Sequence, residues 1–175
     1  MSASTRLLCP LSVLVPLILV GCDEGPKYPP PCPALTLLPD AGDVTTYVGA
    51  GRDLTDLQLQ ARIAGVPARC VRGDPGTVVA TLQVQFGLTR GPANPSRAAE
   101  LGYFVAVKDG GRIVDERDFT LRAVFPANID DVKAGGEEVT LNLPVTAART
   151  AAAYTIFVGF RLTPEQLRAN RAAKR

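Results

Sequence analysis

The chain has 175 residues, 46% of them apolar and 21% charged, with 19 basic residues against 17 acidic ones and neither His nor Trp. Charge this evenly balanced leaves no strongly basic face of the kind nucleic acid demands. The missing imidazole removes Ser-His-Asp and Cys-His catalysis, the common zinc sites and the usual general base, so paired carboxylates or a Lys-activated Ser are what an enzyme would have left.

Met1 to Leu8 hold one cation, Arg6, and no acid, and Leu7 to Gly21 then run apolar except for Cys9, Ser12 and the interruptions at Pro10 and Pro16. A charged start, a short apolar middle and a small residue at the end describe a secretory leader. A membrane span needs about 20 apolar residues. This run is shorter, its prolines weaken a helix, and Asp23-Glu24 follow at once.

The run closes on Leu19-Val20-Gly21-Cys22, which resembles the lipobox of bacterial lipoprotein precursors. The resemblance implies a diacylglycerol on the Cys22 sulfur, cleavage after Gly21, and acylation of the new amine by a fatty acid such as palmitate. Two or more acyl chains make a durable membrane anchor where one is marginal. Asp23 resembles the residue that keeps enteric lipoproteins in the inner membrane; outside that group the rule does not carry over, and inner versus outer membrane stays open.

Without residues 1–21 the chain has 18 basic residues against 17 acidic ones over 154 positions, a length that suits one domain. Asp23 to Pro33 hold five prolines and form a stiff, extended spacer. Cys9 leaves with the leader and Cys22 takes lipid, so Cys32 and Cys70 are two thiols in an oxidising compartment. They are expected to form a disulfide; two buried free thiols or a metal pair are the alternatives, the latter without a His or third Cys nearby.

From Ala34 onward the period is two. Leu57, Leu59, Ala61 and Ile63 form one stripe, and Val78 through Leu88 at even positions form the longest. Further stripes run through Phe119, Leu121, Ala123 and Phe125, through Val139, Leu141 and Leu143, and through Tyr154, Ile156, Val158, Phe160 and Leu162. Alternation of this kind marks strands with one buried face. Asp74-Pro75-Gly76 and Asp109-Gly110-Gly111 are turn sequences, the second a hairpin. The expected strands are 34–38, 54–64, 68–72, 77–89, 101–108, 112–125 with a bulge near Asp115, 136–143 and 153–162, about eight in an all-β, antiparallel, immunoglobulin-like sandwich; a closed barrel is the alternative.

Gly49-Ala50-Gly51 reads as a turn, because it lacks the third glycine of a dinucleotide loop. The polar cluster after it offers Arg52, Asp53 and Asp56 as a hydrogen-bonded turn or a partner contact. Asp130-Asp131 and Glu137-Glu138 fall in a turn-rich stretch, 126–138, and read as solvated loop acids, with a weak calcium site as the other reading. Thr163-Pro164-Glu165-Gln166 opens a short helix with a Thr cap, a first-turn Pro and a Gln three residues on. Arg168, Arg171, Lys174 and Arg175 make the end basic, which suits a helix C-terminus or, on the sharper reading, phosphate head groups or an acidic partner.

Gly51–Asp56, Tyr103-Phe104-Val105-Ala106-Val107 and Val158 to Leu167 together resemble small proteobacterial envelope lipoproteins of unassigned function. That likeness supplies no catalytic residues. The expected organisation is a leader at 1–21, a lipidated Cys and tether at 22–33, a sandwich at 34–163 and a helix with basic tail at 164–175. The expected role is a lipid-anchored cell-envelope protein facing the periplasm, neither an enzyme nor a nucleic-acid binder. It would act by contact with another envelope protein as an accessory or assembly subunit, without cofactor or metal. A small-ligand or glycan binding module is the alternative.

Overall fold

In a computed structural model that describes residues 30–173, the alternating stripes become two facing sheets. One holds β1 (Ala34–Leu37), β9 (Tyr154–Phe160), β6 (Ala98–Asp109) and β7 (Arg112–Val124), side by side in that order. The other is built on β5 (Thr77–Arg90): β3 (Leu57–Gly65) and β4 (Ala68–Arg72) share one of its edges end to end, and β8 (Asp131–Pro144) takes the opposite edge. β2 (Asp43–Tyr47) lies outside β3.

The stripes read from the sequence are the inner faces. Leu82, Val84, Phe86 and Leu88 of β5 meet Tyr103, Val105 and Val107 of β6 and Ile156, Val158 and Phe160 of β9 in one continuous core. Phe86 sits edge-on to Tyr103 with ring centres 5.0 Å apart and lies 5.6 Å from the Phe160 ring. Full burial of each such side chain stabilises the fold by about 1.5–3 kcal/mol before entropy is charged.

Turn chemistry behaves as its residues dictate. Gly110 and Gly76 take positive φ, at 55° and 79°, a backbone shape that side chains with a Cβ resist. The Gly110-Gly111 loop joins Asp109 directly to Arg112 in the β6–β7 pairing. Along that hairpin Val107 pairs with Asp115 and Lys108 with Ile113, which leaves Val114 as the extra residue of a bulge, beside the expected position.

Four features depart from the expected strands. β2 was not anticipated: its DVTTY sequence has a single buried residue, Val44, so no apolar stripe announces it. Residues 54–56 form a 3-10 turn, and the strand starts at Leu57. β8 begins at Asp131, so Asp131 and the Glu137-Glu138 doublet belong to a strand and not to a loop. Its two glycines mark a register shift opposite Gln83–Gln85. Gly136 is required because a Cβ there would run into the Tyr103 hydroxyl, and that hydroxyl accepts a hydrogen bond from the Glu137 N–H at 3.1 Å. Finally, β1 pairs with β9 in parallel, whereas the other strand pairs described are antiparallel.

The chain closes on α1 (Pro164–Ala173). Gln166 N–H donates to the Thr163 hydroxyl and Thr163 N–H to the Gln166 side chain, at 3.2 and 2.8 Å, the reciprocal cap expected from the sequence. Asn170 then donates to the backbone carbonyls of Asp40 and Asp43, which seats the helix on the β1–β2 connection.

Candidate functional site

Cys22, the residue expected to take lipid, lies outside the described residues, as do the leader and most of the spacer. The end of the spacer is held. Cys32 is bonded to Cys70, with Cα atoms 5.6 Å apart, and Pro30 and Pro33 on either side of Cys32 are buried. Cys70 itself points inward from β4. The bridge fastens the segment before β1 to the second sheet.

Of the polar cluster before β3, Asp53 and Asp56 form a local turn. Asp56 N–H donates to the Asp53 carbonyl at 3.0 Å, and Asp53 N–H points at the Asp56 carboxylate at 3.4 Å. Arg52 leaves this network. Its guanidinium reaches Glu165 of α1 and lies over the Tyr47 ring, 5.3 Å from the centre. The helix claims it, so of the three residues only the two acids form the expected cluster. Leu54 between them is 79% exposed.

The acidic doublets do not converge. Asp130 accepts a hydrogen bond from Arg90 at 2.7 Å and lies 3.5 Å from Arg97; this pairing, Arg90 first, holds its carboxyl below the usual range. Asp131 accepts from the Thr89 hydroxyl at 2.5 Å. Among the described residues no group of three acids, Cys or His is placed to hold a metal ion. Arg171, one of the terminal cations, is paired with Asp40 at 2.9 Å.

The side of the sandwich between β7 and β8 is different. Both strands are long, and each pairs with a single neighbour among the described strands. A cleft of about 430 Å³ opens there, with Val107, Leu141 and Leu143 among its walls. Inward-facing charges sit across it: Arg117 pairs with Asp115 at 2.8 Å and donates to the Thr140 carbonyl at 3.2 Å. Arg149 pairs with Asp109 and stacks over Tyr154, 4.7 Å from the ring centre. Of these contacts, the Arg117 bond to the Thr140 carbonyl joins β7 to β8 and so one sheet to the other, while Asp109 and Tyr154, the two neighbours of Arg149, face each other on adjacent strands of the first sheet.

On the outer edge of the same side, Ile113 and Val114 are both about half exposed, and Val124 at the far end of β7 is 75% exposed. Neighbours on a regular strand point to opposite faces; the bulge at Val114 turns both into solvent. The adjacent apolar pair was visible in the sequence as a break in alternation, but was not singled out. Charges flank the apolar residues on the outer face of β7, with Glu116 and Asp118 held by Arg161 and Arg122 held by Glu100.

No protein-family model, curated protein or solved structure matches the chain.

Proposed function

We propose that the protein is a lipid-anchored domain of the bacterial cell envelope that works by binding an extended segment of another envelope protein along the free edge of β7. The observation behind this reading is the long edge of β7 that no other described strand pairs with, Ile113, Val114 and Val124 being exposed on that strand. Strand addition supplies affinity through backbone hydrogen bonds and specificity through alternate side chains. The bulge and the inward Asp115–Arg117 pair blunt the edge against indiscriminate pairing. A partner must therefore match its register.

The anchor follows from the Leu-Val-Gly-Cys motif, and the periplasmic setting agrees with the Cys32–Cys70 bond, which persists in oxidising compartments. A photoreactive residue placed at Ile113 or at Val124 in intact cells tests the contact. Both positions should yield one discrete adduct that a probe at Thr45, on the outer face of the other sheet, does not. No adduct from either β7 position, or the same adducts from all three, would contradict the proposal.

A further inference from the structure

Glycine weakens the interior of a strand, and one placed there usually marks a bulge or a close approach by other atoms. An added Cβ at Gly136 would overlap the Tyr103 hydroxyl, and at Gly102, Gly135 or Gly159 it would crowd a neighbouring atom at 3.0–3.2 Å, so close packing accounts for these glycines. Gly87, near the end of the central strand β5, is not crowded in this way. Its φ lies outside the left-handed region, and an added Cβ would meet nothing nearer than Arg62 Cγ at 3.6 Å, an ordinary contact. Neither backbone nor packing asks for a glycine. What remains is the space itself.

That space is the floor of a cleft of about 500 Å³ on the outer face of the second sheet. The register places Asp43, Arg62, Gly87 and Lys133 in one row across β2, β3, β5 and β8, and Thr45, Gln60, Thr89 and Asp131 in the next. Two cations thus flank a bare stretch of backbone. Neighbouring strands run about 4.8 Å apart, so the side chains of Arg62 and Lys133 are long enough to reach a group seated on Gly87 from both sides. Their charges are available. Asp43 lies 4.0 Å from Arg62 with both side chains mostly in solvent, a weak pair, and Lys133 makes no ion pair among the described residues. The acid of the second row, Asp131, accepts a hydrogen bond from the Thr89 hydroxyl and keeps its charge.

We infer that this cleft binds the oxyanion of a small polar molecule, a carboxylate or a phosphate, with Arg62 and Lys133 on its charge and Gly87 leaving it room against the sheet. Guanidinium and ammonium groups form charge-assisted bonds to such oxygens, and Thr45 and Gln60 offer hydroxyl and amide partners for the rest of the molecule. The site is independent of the β7 edge, which lies on the other sheet.

The test is a titration of the isotopically labelled full chain in a neutral detergent, with inorganic phosphate in one arm and acetate in the other. Chloride at equal ionic strength is the control. One of the two anions should shift the Gly87 and Leu88 amide resonances saturably where chloride does not, and the arm that responds names the oxyanion. Lys133→Gln and Arg62→Gln should each weaken binding by about tenfold, the loss of one charge-assisted contact. Gly87→Val should abolish it while raising the melting temperature. Silence from both anions, or binding unaltered in Lys133→Gln and Arg62→Gln, would overturn the assignment.

Discussion

Tyr103 and Asp130 show how single polar groups hold loops and strands in place. The Tyr103 ring is fully buried among Phe86 and Phe119, and burial pushes its hydroxyl pKa up, so the group stays protonated. Its oxygen gives the Glu137 N–H an acceptor at the β8 register shift. Tyr103→Phe should cost about 1–3 kcal/mol, because that N–H loses its protein acceptor; a lower urea midpoint with an unchanged slope is the expected record. Asp130 joins Arg90 and Arg97 and so ties the β5–β6 connection to the start of β8. Its folded pKa lies below the usual 3.8. The stability it contributes is therefore complete above that value and is lost as pH falls through the lower folded one. Wild type should exceed Asp130→Asn in stability at neutral pH, and the difference should close as the solution is acidified; a gap that stays constant would assign the effect to packing.

At the scale of elements, the disulfide ties the segment before β1 to β4. It closes a loop with a sequence separation of 38, worth about 4 kcal/mol in the chain-entropy picture. Replacing Cys32 and Cys70 with Ala should lower the urea midpoint accordingly, and a change of a few tenths of a kcal/mol would show that the segment is held by Pro30 and Pro33 instead. Elements with a strict apolar period, β3, β5 and β9, were legible in the sequence because one buried face imposes alternation on every second residue. The capped start of α1 was legible because its hydrogen bonds are local. β2 was not, since an edge strand with one buried side chain is held by its pairing with β3 and not by its own pattern. The stretch 126–138 reads as turn-rich in part because it holds Gly135-Gly136, yet Gly136 answers to a hydroxyl more than thirty residues away in sequence. Arg52 likewise found its partner, Glu165, on an element whose position no local reading supplies. The oxyanion cleft was illegible because its cations come from β3 and β8 and meet only through the strand between them.

For the whole molecule, the proposed anchor and the folded body are joined by a short stretch of sequence. Seven residues separate Cys22 from Pro30, which is buried; a proline-rich chain of that length, if extended at about 3.1 Å per residue, would span roughly 20 Å. An acylated Cys22 would therefore keep the domain within about its own radius of the bilayer, with the β7 edge and the Gly87 cleft on different sheets. The envelope role proposed for the β7 edge depends on that placement. The direct measurement is the intact mass of the protein extracted from membranes, with Cys22→Ser alongside. The account predicts a chain that begins at Cys22 and bears a diacylglyceryl group with a further acyl chain, and a Cys22→Ser protein that keeps residues 1–21 and gains no lipid mass. A membrane-extracted wild-type chain of unmodified mass, still beginning at Met1, would contradict it.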